Sequence, residues 1–280
     1  MREIKAAELT EKVRELFLKA NIILPSDTAE CIKKACARET NGAGAAALRT
    51  AVKNLEAAEK NCMPICQDTG MAVVFLKIGQ DVHIVGGDVI EAVNNGVKKA
   101  YVNGLLRKSV VIDPLNRVNT KDNTPAIIHT EIVPGNKIEI MAAPKGFGSE
   151  NMSGIKMLLP SSGKKGVVDA VLDIVKKAGS NPCPPMVVGV GIGGDFEQSA
   201  LLSKKALCRN LDEPNNNPFY AEMEKELLSK INSLDIGPQG FGGNTTALGV
   251  NIEVAPAHIA GLPVAVNIGC HVTRHKSAVI

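Results

Sequence analysis

This chain is expected to take a mixed α and β fold, with a helical N-terminal layer followed by mixed β-sheets flanked by helices. Three observations predict it. Residues 1–60 carry the 3.6-residue apolar period of amphipathic helices. Beyond Thr69-Gly70 the texture changes to short apolar runs bounded by Gly, Pro and Asn, which read as strands. Helical patterns then alternate with such runs to the end, and no low-complexity linker separates them, so residues 1–280 read as one domain with a core over 61–280.

The elements follow in order. Leu9, Val13 and Leu16 share one face of a first helix over 4–19. Asp27 with Glu30 three residues on resembles a capping box that opens a second helix, reaching Arg38. Leu48, Val52 and Leu55 line a third, over 44–59, which delivers the chain to Cys62. Met71 to Ile78 and Val82 to Val85 read as strands, and Asp88 with Glu91 caps a helix reaching Asn103. Residues 126–133 and 137–142 alternate apolar and polar side chains across Pro134-Gly135-Asn136, a hairpin signal. Helices are expected over 169–177, 196–208 and 218–232, and strands over 186–192, 248–254 and 263–268.

Composition excludes several classes of function. A net charge of +3, charged residues at 22% and aromatics at 3% with no tryptophan offer neither a concentrated basic face nor a base-stacking platform, so no nucleic-acid partner is expected. The N-terminus lacks an apolar signal core and no apolar stretch approaches the roughly 20 residues of a membrane helix, which predicts a cytoplasmic protein without a membrane partner. Seven cysteines, an odd count, argue against a disulfide framework and leave thiols for metal or catalysis.

The chemistry gathers around Asn61-Cys-Met-Pro-Ile-Cys-Gln-Asp-Thr-Gly70, which sets a thiol, an amide and a carboxylate side by side just before an apolar strand. Cys66, Cys183 and Cys270 all lie in loops of Pro, Gly or polar residues, whereas Cys31, Cys36 and Cys208 lie in helical patterns and read as core thiols. Three thiolates without a fourth would fit a four-iron cluster with one iron open to act as a Lewis acid. Structural zinc or simple packing are the other readings. Gly189-Val-Gly-Ile-Gly-Gly194 matches a dinucleotide fingerprint in form, but the acidic residues that follow, Asp212 and Glu213, sit in a loop rather than at a strand end. A tight turn near an active centre suits the run better. Lys145-Gly-Phe-Gly-Ser-Glu-Asn and Gln239-Gly-Phe-Gly-Gly-Asn-Thr echo each other as turns whose backbone could receive an anion. Arg107 interrupts an apolar run and reads either as a bidentate partner for a carboxylate or as a surface charge, and His258 reads either as a core histidine or as a site residue.

Taken together, Cys-Gln-Asp-Thr-Gly, Lys-Gly-Phe-Gly-Ser-Glu-Asn, Asn-Pro-Cys-Pro-Pro, Gly-Phe-Gly-Gly-Asn-Thr-Thr-Ala-Leu-Gly and Asn-Ile-Gly-Cys-His resemble the iron–sulfur hydro-lyases, the class I fumarases and L-tartrate dehydratases. The resemblance implies a [4Fe-4S] cluster held by Cys66, Cys183 and Cys270, with Gln67, Asp68, Arg107, the backbone at Gly148 and His258 around a dicarboxylate. It casts Asp68 as the catalytic group that exchanges a proton with the hydroxyl, and Cys62 as a bystander. It further implies that the chain is the α subunit of a two-subunit form, completed by a β subunit in an α2β2 assembly. Reversible hydration of fumarate to L-malate is the activity expected first, and dehydration of L-tartrate to oxaloacetate second. A dinucleotide-binding oxidoreductase using Gly189–Gly194 and a zinc-stabilised scaffold are the readings from other classes.

Overall fold

In the computed structural model, which describes residues 1–280, the chain has the expected mixed α and β fold, with three helices ahead of the main sheets. The chain divides into two compact units, and the helices are shared between them. The first unit comprises Met1–Pro25, Ala57–Phe147 and Arg274–Ile280; the second comprises Ser26–Glu56 and Gly148–Thr273.

In the first unit, a short strand β1 (Arg2–Lys5) precedes helix α1 (Ala6–Ile22) and pairs in parallel with β3 (Val82–Val85). The main sheet holds β2 (Met71–Gly79) between β4 (Ile127–Val133) and β5 (Ile138–Lys145), with β10 (Lys276–Val279) on the far side of β5. The expected hairpin is therefore corrected: β4 runs parallel to β2, β5 runs antiparallel to it, and the two do not pair with each other. The reason is burial. Ala72 to Leu76 are all buried, so this run has to lie in the middle of the sheet. The Pro134–Lys137 connection crosses over the end of β2, where Gly79 N–H donates to Lys137 O at 2.8 Å and Gln80 N–H to Val133 O at 2.8 Å. Leu9, Val13 and Phe17 of α1 and Val93, Val97 and Tyr101 of α4 (Val89–Asn103) close the core against β2 and β5. Helix α4 begins as read, with the Asp88 carboxylate accepting Glu91 N–H at 2.9 Å.

The second unit is built on the sheet order β6 (Gly154–Leu158), β9 (Leu262–Gly269), β7 (Met186–Gly194), β8 (Ala247–Ala257). Strands β7 and β8 are parallel, and β9 is antiparallel to both of its neighbours. Its core joins Val171 and Val175 of α6 (Gly163–Ala178) and Leu227 and Ile231 of α8 (Pro218–Asn232) to the sheet. Helix α2 (Ser26–Arg38) starts one residue before the expected cap. Asp27 sits in its first turn and accepts Leu211 N–H at 2.8 Å instead of closing a capping box. Helix α3 (Gly42–Lys60) belongs to this unit as far as Glu56.

The glycine-rich run is strand rather than turn, and this decides its role. A Cβ at Gly189 would lie 2.2 Å from Ser203 O, and one at Gly191 would lie 2.1 Å from Ser199 O. Both glycines let α7 (Phe196–Ala206) lie directly on β7. The N-terminus of α7 is closed by its own Asp195, whose carboxylate accepts Gln198 N–H at 2.8 Å. Packing accounts for the run without a nucleotide.

Candidate active site

The first unit supplies the loop at 61–70. Helix α3 ends at Lys60, and Cys62 turns the chain in the left-handed region at φ 51°. Its Sγ lies 3.9 Å from Glu59 O, so Cys62 serves as a helix terminus. The half-buried Cys66 follows, its Sγ 3.3 Å from Gln67 Oε1. Asp68 comes next, and nearly every polar group of Asp68-Thr69-Gly70 is held. Asp68 Oδ1 accepts Gly70 N–H at 3.0 Å and Oδ2 accepts Phe147 N–H at 2.9 Å. The Asp68 carbonyl accepts the guanidinium Nη2 of Arg274. Tyr101 O–H is shared between Thr69 O at 2.8 Å and Gly70 O at 2.9 Å. Asn123 Nδ2 donates to Gly70 O at 3.2 Å.

Thr69 does the same for Arg107. Its hydroxyl accepts Arg107 N–H at 2.9 Å and donates to Arg107 O at 3.2 Å, which fixes the Arg107 backbone while leaving its side chain exposed. Gly70, at φ +81°, is where the loop enters β2 beside Lys145; a Cβ there would stand 2.7 Å from Lys145 N. Burial pushes the Tyr101 phenol well above its ordinary pKa, and the nearby Arg274 charge offsets only part of that. The hydroxyl therefore remains a donor at any physiological pH.

A carboxylate pinned in this way can still react. It has about four acceptor sites, and the two backbone N–H groups occupy one on each oxygen. An oriented base or acid with open lone pairs is what proton transfer at a substrate hydroxyl requires.

The second unit brings Cys183 and Cys270 together. Val187 of β7 stands opposite Gly269 of β9, so both cysteines leave the same end of this strand pair. His271 closes the gap: its N–H donates to Cys183 O at 3.4 Å, and its Nδ1 lies 3.0 Å from the same oxygen. Cys183 is exposed and left-handed at φ 53°, a conformation a non-glycine residue rarely adopts, with its N–H donating to Ser180 O at 3.1 Å. The second Gly-Phe-Gly turn lies against this loop, since Gln239 donates to Pro184 O from both its backbone N and its Nε2, each at 2.8 Å. Glu39, almost fully buried, anchors the turn's far side by accepting Asn244 N–H at 3.0 Å.

The two remaining expected residues also fall in the second unit. At Gly148 a Cβ would meet nothing within 4 Å, so no packing demand explains the glycine. His258 is exposed at the turn between β8 and β9, with Nδ1 accepting Ala260 N–H at 3.2 Å; it is not a core histidine. Among the other cysteines, burial and then the Asp27 carboxylate raise the Cys31 thiol above its ordinary pKa, which disfavours a thiolate there. Sequence reasoning missed Tyr101, Arg274, His271 and Gln239. The last two stand inside motifs already singled out, and that was their available signal.

A family model described as "Fumarate hydratase (Fumerase)" matches residues 10–279. The chain belongs to this family. A relative from Methanocaldococcus jannaschii, 44% identical over 273 residues that cover 95% of each chain, carries a name assigning it provisionally to L(+)-tartrate dehydratase as subunit alpha. The L(+)-tartrate dehydratase subunit alpha of Escherichia coli (strain K12) is 34% identical over 279 residues, covering 98% of this chain and 91% of the relative. Both relatives are named as alpha subunits of hydro-lyases. No helix is long and apolar enough to cross a membrane.

Proposed function

We propose that this chain is the cluster-binding α subunit of a hydro-lyase that removes water from L-tartrate to give oxaloacetate. The relatives' names support tartrate over the fumarate first expected. Hydration of fumarate to L-malate stays as the second reading, because the family model carries that description. A β subunit, in an α2β2 assembly, would complete the enzyme in the cytoplasm.

The observation that carries the reading is the Asp68 carboxylate, oriented by Gly70 N–H and Phe147 N–H in the same short loop as Cys66. The donor set suits an iron–sulfur cluster: Cys66, Cys183 and Cys270 are loop thiols, none in a disulfide, and thiolate sulfur is the usual ligand of such clusters. When bound, a [4Fe-4S] cluster would supply an open iron as a Lewis acid toward a hydroxyl or carboxylate oxygen. Asp68 would carry the proton that leaves with, or arrives at, the hydroxyl. Gln67 and the exposed Arg107 guanidinium, a planar fork suited to a carboxylate, would orient the dicarboxylate. Gly148, whose backbone is open, and the exposed His258 are the further substrate contacts of this proposal.

The test is steady-state kinetics of the anaerobically assembled α and β subunits on L-tartrate, fumarate and L-malate. The proposal expects kcat/KM for tartrate to exceed that for fumarate at least tenfold. The reverse order would select the fumarase reading, and turnover of neither substrate would overturn both.

A further inference from the structure

Arg274 lies four residues after Cys270, where the chain re-enters the first unit just before β10. Only 4% of it is exposed. One guanidinium nitrogen, Nη2, donates to the Asp68 carbonyl, while Nε and Nη1 are buried without a hydrogen-bond partner.

Such a cation works against stability. Desolvating a guanidinium is costly, and with Nε and Nη1 unbonded the single hydrogen bond to the neutral Asp68 carbonyl offsets only part of that cost. A residue that is costly to the fold but fixed by it is more readily explained by what it holds. Arg274 is well fixed. Two residues on, Lys276 pairs with Ala142 of β5, and Ile280 exchanges backbone hydrogen bonds of 2.9 Å in both directions with Ile138. The same strand β5 leads into Phe147, whose N–H holds the Asp68 carboxylate. Asp68 is thereby clamped at its carbonyl by Arg274 and at its carboxylate by Phe147, both carried by the β5–β10 pair.

Resting on the reading of Asp68 as the proton-handling group, we propose that Arg274 is a positioning residue for Asp68. It fixes the Asp68 peptide, and through it the direction of the carboxylate, and it sets a permanent positive charge behind that group without touching substrate.

The test compares R274M and R274K with wild type in the complete α and β complex, using two readouts. Misplacing a reacting group by about 1 Å costs on the order of 100-fold in rate. R274M is therefore expected to lose about 100-fold in kcat with KM within about threefold, and R274K, which keeps charge and one donor, to recover at least a tenth of wild-type kcat. Hydrogen exchange of the peptide containing Gly70 should accelerate about tenfold or more in R274M, with little change in peptides of α1 and α4, because the Gly70 N–H is bonded to Asp68. Melting temperature should hold or rise in R274M, since a buried cation with two unbonded nitrogens is removed. Three results would overturn the proposal: a KM rise with kcat retained, which would make Arg274 a substrate ligand; unchanged exchange at Gly70; or failure of both variants to fold, which would make the role structural. If the wild-type complex turns over neither substrate, the functional reading fails, while the exchange readout still decides the clamp.

Discussion

Replacing Gly70 by Ala separates a glycine required by the backbone from one left open for a ligand. At φ +81° any residue with a Cβ pays about 1–2 kcal/mol for the left-handed conformation. The added Cβ would also stand 2.7 Å from Lys145 N and 2.9 Å from Lys145 C, both backbone atoms of a paired strand that cannot move aside cheaply. Shifting the loop instead would break the Gly70 N–H bond to the Asp68 carboxylate, worth about 1.5–3 kcal/mol as a bond to a charged group. G70A should thus destabilise the chain by about 3–5 kcal/mol, a drop in Tm on the order of 10 °C. G148A provides the control, because a Cβ there meets nothing within 4 Å. It should stay within about 0.5 kcal/mol of wild type while raising KM for the dicarboxylate at least tenfold. Thermal melts and kinetics on both variants give the comparison. An unperturbed Tm in G70A would refute the steric reasoning, and unaltered kinetics in G148A would remove Gly148 from the substrate site.

Three further outcomes are expected. D68N presents an amide N–H₂ to one of the two backbone donors now facing the carboxylate, so it should cost about 1–3 kcal/mol of stability and 10²- to 10⁴-fold in kcat; retention of more than a tenth of the activity would exclude Asp68 from proton transfer. C183S should lose visible iron–sulfur absorbance, whereas C62S, at a helix terminus, should keep it; equal loss in both would overturn the assignment of Cys62 as a bystander. Tyr101 bears on alkaline stability. Its phenol is raised in the folded state, so the neutral form is favoured there, and its contribution is complete below the unfolded value of 10.0 and lost as pH rises above it. Urea melts should show wild type losing stability between pH 10 and 11.5 more steeply than Y101F, and parallel profiles would refute this.

Much of the fold could be read from the chain, because helix caps and apolar periods are local signals. Asp88 and Glu91 placed α4 at its true start, and the apolar run from Met71 placed β2. What the pattern could not supply was pairing. A period of two marks 126–133 and 137–142 as strands, yet only the burial of Ala72 to Leu76 forces β2 between them. Likewise Gly189–Gly194 matched a phosphate-binding fingerprint because close helix–strand packing and close ligand approach call for the same residue. For the proposed site, residue type and loop context single out Cys66, Asp68, Cys183 and Cys270 as candidates. Arg274 was not: in Thr-Arg-His-Lys it reads as a solvated basic run, and only the tertiary fold buries it against Asp68. Tyr101 was hidden for the same reason, as one more apolar position on the inner face of α4.

The proposed function requires an iron–sulfur cluster on Cys66, Cys183 and Cys270. Iron and acid-labile sulfide per chain, measured on the anaerobically purified α and β complex, test it most directly. Wild type should hold about four of each per α chain, and C66S, C183S and C270S should lose them alike. Zinc in stoichiometric amount, or iron retained after any one of these three substitutions, would contradict it.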